Sequence, residues 1–363
     1  MKMVSQLSQE AFGLLKMIVP IKSFSGSEHE RALFLQNYLL EKGLSPKRFA
    51  NNLLVTGRNW KEGLPVLMLN SHIDTVSPSN GYSFDPYDPG ADRDVVRGLG
   101  SNDAGASVAT LVTIFLYYSG LIKNVSASLP SLPFNLLLLL SAEEETSGAK
   151  GISMAIGECG SVDAAIVGEP TCMKAAVAER GLLVLDGVAK GVSGHAARDE
   201  GSNAIYKAIE DIDTLRNFKF GKSSALMGDV KLTVTQINAG AQHNVVPDKC
   251  TFVVDIRPTD AYTNKEIFSM LCESVSSELH PRNLSNSSSA TPKGHPFFKA
   301  IELSSIESFV SPTTSDWMRL NVPAIKMGPG DSARSHRPDE YVTLKELEYG
   351  IECYTKLIEN LKL

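Results

Sequence analysis

His72 and Asp74 stand two residues apart just beyond an apolar run, Leu64 to Leu69. On an extended backbone, side chains at i and i+2 share a side. An imidazole and a carboxylate therefore emerge together where a strand stops. The pattern returns twice. Asn135 to Leu140 leads into Ser141-Ala142-Glu143-Glu144-Glu145, and Ala164 to Val167 leads into Gly168-Glu169. Asp103 lies where a glycine-rich loop, Gly98 to Ala106, meets a helical pattern, and His336 lies on a late loop, Ser335-His336-Arg337-Pro338. Taken singly, each has an ordinary explanation: a solvated acidic turn, a helix-start aspartate, a loop histidine. Gathered at one sheet edge, they would repel one another unless cations balance them. Two divalent metal ions would do so. A set of His, Asp and Glu suits Zn²⁺, and a carboxylate shared between two metals is a component of two-metal hydrolysis.

The elements that must position these groups follow from the hydrophobic pattern. Residues 6–18 and 30–42 read as helices, the second started by Ser27 as its cap and ended by Gly43. Strands are expected at 52–56, 65–71, 135–140, 164–167 and 324–327, with helices over 107–118 and from 296 and 344. The loop at 98–106 lacks the Lys-Ser or Lys-Thr ending of a phosphate loop and the full dinucleotide fingerprint. Near Arg180 the texture changes. Strand-like alternation at 182–189, 231–237 and 251–256 and helices at 203–218 and 264–279 suggest a small α+β module with its helices on one face of an antiparallel sheet. Residues 283–291 would be its last edge strand or a linker. The layout is thus an α/β domain interrupted by an insertion.

The bulk numbers agree with this. The chain has 363 residues, 43% hydrophobic and 21% charged, which suits about two globular domains. Its net charge of −6 speaks against a nucleic-acid or anionic-membrane surface. No apolar run is long enough to span a bilayer, and the start reads as an amphipathic helix, not a signal peptide. The five cysteines are scattered, without metal-site or disulfide spacing, so a reduced, cytoplasmic protein is expected.

Read together, Asn70-Ser71-His72-Ile73-Asp74-Thr75-Val76, Asp103, Glu143-Glu144, Val167-Gly168-Glu169-Pro170-Thr171, and Gly328-Pro329-Gly330 followed by Ser335-His336 resemble the di-zinc metallopeptidases. The relevant branch holds acetylornithine deacetylase, succinyl-diaminopimelate desuccinylase and carboxypeptidases acting on acylated amino acids. The similarity runs through the whole chain; the tail from Gly328 to Tyr341 looks most like acetylornithine deacetylase, and the overall sequence resembles the Bacteroidetes-type N-acetyl- or N-succinyl-ornithine deacetylases. The resemblance implies a zinc-exopeptidase-like α/β catalytic domain with a mixed, mostly parallel sheet over 1–178 and 294–363. A ferredoxin-like lid and dimerisation domain would span 179–293. It implies two Zn²⁺ per subunit, for which Co²⁺ can substitute: His72 and Glu169 on one, Glu144 and His336 on the other, Asp103 bridging. Asp74 would orient His72 from behind, and Glu143 would be the general base that activates water and passes the proton to the leaving amine. In the insertion, His195 and Asn244 would contact the scissile carbonyl and Arg257 the substrate α-carboxylate. The expected function is hydrolysis of an N-α-acylated amino acid, N-acetyl- or N-succinyl-L-ornithine, by a cytoplasmic homodimer acting on a small molecule. A succinyl-diaminopimelate desuccinylase, a hydrolase of carrier-linked lysine and a dipeptidase stand as alternatives on the same chemistry, and a non-catalytic binding protein as the remote one. Two departures stand out. Ala104-Gly105-Ala106 replaces a usual Met-Lys-Gly, and Ala142 stands where an Asp often precedes the glutamate pair, which leaves Glu145 as a third candidate in that run.

Overall fold

The computed structural model describes residues 2–122, 129–198 and 200–363. They form two compact units, one of residues 1–177, 290–309 and 315–363, the other of residues 178–289 and 310–314.

The first unit is built on a mixed sheet. Its strands run in the order Lys47–Phe49, Asn52–Thr56, Asn135–Ser141, Val66–His72, Ala164–Val167, Ala324–Lys326 and Ala175–Glu179. The four from Asn135–Ser141 to Ala324–Lys326 are mutually parallel, and the flanking pairs are antiparallel. Register places His72 opposite Ser141 and Asn70 opposite Val167, so three strands finish level with one another. Every residue of the two longest strands is buried, because helices or turns cover both faces. Leu67, Leu69, Leu138, Leu140 and Ile166 pack on one side with the helices Lys2–Ile18, Ala106–Tyr118 and Leu344–Asn360. Met68, Leu137, Leu139, Ala165 and Val167 pack on the other with Ile152 and Trp317. Helix Ala106–Tyr118 is buried along its whole length, which explains why its sequence is apolar on all sides.

The second unit is a four-stranded antiparallel sheet in the order Lys231–Ala239, Lys249–Arg257, Leu183–Lys190, Glu278–Pro281. Its helices, Ala204–Asn217 and Asn264–Ser274, share a core with Leu183, Leu185, Val254 and Ile256 on one sheet face. One expectation is corrected here. The last helix stops at Ser274 rather than running to Leu279, because the buried Asp211 carboxylate takes the backbone N–H groups of Ser276 and Ser277 at 2.9 and 2.8 Å. The edge strand of this sheet is Glu278–Pro281, which leaves residues 283–291 outside it, as the linker alternative had it.

Candidate metal centre

The level ends of three parallel strands lead into His72, the Glu143–Glu145 run and Glu169. His72 closes its strand and is 2% exposed. Its Nδ1 faces the Asp74 carbonyl at 3.1 Å and the Asp74 carboxylate at 3.4 Å. Its Nε2 lies 3.3 Å from Asp103 Oδ1 and 3.7 Å from Glu169 Oε1. On the other side, His336 Nε2 lies 3.8 Å from Asp103 Oδ2 and 3.0 Å from Glu145 Oε2. The two oxygens of Asp103 are thus divided between two imidazoles. Among the described residues, ligand atoms of His72, Glu144 and Glu169 converge within 4.8 Å, as do those of His72, Asp103 and Glu145.

The expected register of the acidic run is corrected by one residue. Glu145, not Glu144, meets His336, and Glu144 lies with His72 and Glu169. Glu143 is in neither group. Its backbone adopts φ +53° at the start of the turn, and its carboxylate folds back onto that turn to accept the Lys150 N–H at 2.9 Å. Gly148 makes room for it, since a Cβ there would sit 2.0 Å from Glu143 Oε2. The turn itself is held from outside. Asp74 accepts the N–H groups of Glu144 and Glu145, both at 3.1 Å, together with the Ser25 hydroxyl at 2.7 Å, and buried Glu28 accepts the Glu143 N–H at 3.2 Å. The signal that would have found this register is acid-for-acid. With Glu143 taken as the Asp that often precedes the pair, the pair becomes Glu144-Glu145.

Charge in this cluster is out of balance. Burial first, then the neighbouring Glu169 and Asp316 carboxylates working against the pull of His72, lifts Glu144 well above the carboxylate range. Burial likewise pushes Glu169 up to about 8. Burial would depress His72, but Glu169, Asp103 and Asp74 hold it well above its usual value. His336 is raised to about 9, chiefly by its hydrogen bond to Glu145. A set of buried carboxylates that keeps protons, arranged around one shared aspartate between two imidazoles, is a donor set suited to two divalent cations. The residues present therefore fit a dinuclear metal centre. Beneath them, the Asp316 carboxylate accepts the Ser141 hydroxyl, which also takes a bond from Asn70 Nδ2 at 3.0 Å. Asp316 and Glu340 were not anticipated from the sequence, which carries no spacing that marks either.

The three residues expected in the insertion lie in the second unit. His195 and Asn244 come together there: Val245 pairs with His195 across a short antiparallel ladder, and the Ala196 N–H donates to the Asn244 carbonyl at 3.0 Å. His195 is exposed, and its Nδ1 accepts the Ala197 N–H. Arg257 is half-buried and forks onto Asp255 through Nε and Nη2 at 2.8 and 3.0 Å.

Residues 68–360 match the model of peptidase family M20/M25/M40, and the chain belongs to that family. It is a metal-dependent hydrolase of the M20 class, with the family's mixed, mostly parallel central sheet and separate small antiparallel sheet. A peptidase M20 domain-containing protein of Schizosaccharomyces pombe is 28% identical over 361 residues, 95% of this chain and 83% of its own length. The acetylornithine deacetylase of Proteus mirabilis is 26% identical over 329 residues, 85% and 82% of the two chains. Among solved structures, a tripeptidase from Staphylococcus aureus superposes with a TM-score of 0.76 at 19% identity, covering 97% of this chain and 98% of that one. No helix among the described residues is long and apolar enough to cross a membrane.

Proposed function

We propose that this chain hydrolyses the amide bond of an N-α-acylated amino acid, N-acetyl- or N-succinyl-L-ornithine, releasing L-ornithine for arginine synthesis. The observation that carries the chemistry is the division of Asp103 between His72 and His336, with Glu144 beside it. His72 and Glu169 would hold one Zn²⁺, Glu145 and His336 the other, and Asp103 both. When bound, the metals would acidify water and polarise the scissile carbonyl. Glu144, whose carboxylate converges with His72 and Glu169, is the base in this reading. It takes a proton from the attacking water and gives it to the amide nitrogen as the C–N bond breaks, so that carboxylate and amine leave with atoms balanced. Asp74 holds the His72 ring and the backbone of Glu144 and Glu145 together.

The second unit supplies the substrate contacts in this reading: His195 and Asn244 to the carbonyl oxygen, Arg257 to the α-carboxylate, with Asp255 fixing the guanidinium plane. It also supplies a dimer contact. Lys231–Ala239 is an edge strand whose outer residues are exposed, and Tyr206 and Ile209 on the nearby helix are exposed as well. The reading places a homodimer in a reducing, cytoplasmic setting, in keeping with five unpaired cysteines. Support for the acylornithine substrate comes from the tail Gly328 to Tyr341 and from the deacetylase among the relatives. The test is release of ornithine from N-acetyl- and N-succinyl-ornithine by zinc-loaded protein, beside a panel of di- and tripeptides and succinyl-diaminopimelate. Turnover of peptides alone would reject the substrate and keep the chemistry. No turnover of any amide, with zinc bound, would reject both.

A further inference from the structure

Two side chains outside the liganding set tie the turn carrying Asp103 to the loop carrying His336. Glu340 is 2% exposed, and its carboxylate accepts three backbone N–H groups. Its Oε2 takes Gly100 at 3.0 Å, and its Oε1 takes Asn102 and Asp103, both at 2.8 Å. Its own carbonyl accepts the Gly98 N–H at 2.8 Å. In the opposite sense, Asn102 reaches across to the other loop. Its Oδ1 accepts the Asp331 N–H at 2.9 Å and its Nδ2 donates to the Asp331 carbonyl at 3.0 Å. Gly330 permits that approach, because a Cβ there would lie 2.3 Å from Asn102 Oδ1. The loop bearing His336 is thus pinned near both of its ends, at Asp331 and Glu340, to the turn bearing Asp103.

We infer that Glu340 and Asn102 are positioning residues that set the spacing of Asp103 and His336, and hence the affinity of the metal site completed by Glu145. The contrast with the other half of the centre carries the argument. His72 closes a fully buried strand, and Glu169 follows another strand paired to it, so the sheet ladder holds these two in place. His336 is more than half exposed and sits on a loop, with φ +59°, where no ladder fixes it. Backbone donors aimed at a buried carboxylate form a strong charge-assisted set, and ligand-orienting residues of this kind are worth about 10–100-fold in metal affinity.

This inference rests on the dinuclear reading above, and the experiment separates the two. Metal-free wild type, Glu340→Gln and Asn102→Ala are titrated with zinc against a chromophoric chelator, and with cobalt followed by its visible absorption. Wild type takes up two ions. Each variant weakens the site completed by Glu145 and His336 by about tenfold or more and the other, which shares only Asp103, by less, with the larger change in the cobalt spectrum on the second equivalent. The double variant falls short of the product of the two single effects, because both act on one spacing. Equal weakening of both sites, or two sites of wild-type affinity, overturns the inference while leaving the centre intact. Uptake of fewer than two ions by wild type overturns the centre and the inference with it. If Glu340→Gln does not fold, Asn102→Ala, which removes a buried amide and no buried charge, decides alone.

Discussion

His336 Nε2 lies 3.0 Å from Glu145 Oε2, while the Glu143 carboxylate, two residues earlier, is turned back onto the Lys150 N–H. Three consecutive glutamates therefore have three different fates. Glu144→Gln is expected to bind two zinc ions and lose about 10²- to 10⁴-fold in kcat, the usual cost of removing a general base. Glu145→Gln loses one ion. Glu143→Gln keeps both ions and stays within a few-fold of wild-type activity. Metal analysis and steady-state kinetics on the three proteins check this, and loss of the base effect at Glu143 instead of Glu144 would restore the register expected from sequence.

Asp74 joins His72 to the same turn. Its carboxylate lies 3.4 Å from the imidazole and also takes the Glu144 and Glu145 N–H groups. His72→Ala should lose a zinc outright. Asp74→Ala is expected to weaken zinc binding by about 10–100-fold and to lower kcat even in saturating zinc, because Glu144 is no longer held. Full recovery of kcat at high zinc would limit Asp74 to orienting the ring.

The strand-end groups were legible because a period of two and a parallel sheet leave little choice. An apolar strand buried on both faces must end at the sheet edge, and His72 and Glu169 follow from that, while Asp103 was marked by the glycine-rich loop that enters a helix. The glutamate register was not legible, because it depends on the left-handed backbone of Glu143 and on a clamp from Asp74, about seventy positions away in the chain. Local rules failed in the same way at Ser27. The helix starts after Glu28, whose side chain caps nothing in the helix and instead accepts the Gly26 N–H, Asn51 and the Glu143 N–H.

Proton release should accompany metal binding. Burial holds Glu169 up to about 8 from an ordinary 4.5, and the Glu145 hydrogen bond holds His336 up to about 9 from 6.5. Both are raised above their unfolded values. In the metal-free protein their stabilising contribution is complete below those unfolded values and is lost as pH rises through about 8 to 9. Metal reverses the trend, because ligands must give up their protons to bind it. Zinc affinity is therefore expected to climb from pH 6 to pH 9, and the melting temperatures of chelated and zinc-loaded protein to diverge over the same range. Calorimetry in buffers of different ionisation enthalpy counts the protons released. A pH-independent affinity with no proton release would contradict the assignment of these two ligands.

In the inserted unit, two aspartates on one helix give a contrast in stability. Asp211 is 6% exposed and accepts from the N–H and hydroxyl groups of both Ser276 and Ser277, ending one helix and aligning the edge strand that follows. Asp213, two positions on, pairs its carboxylate with Arg216 at the exposed surface. Removing a buried charged acceptor strands its donors and costs about 1.5–3 kcal/mol or more, whereas an exposed pair contributes little. Asp211→Ala should therefore lower the denaturation midpoint of the protein markedly, and Asp213→Ala should leave it unchanged. Because Asp211 belongs to the second unit, zinc binding to the Asp211→Ala protein should remain at two ions below its melting temperature. A loss of zinc there, in protein that is still folded, would mean that this turn also supports the metal centre.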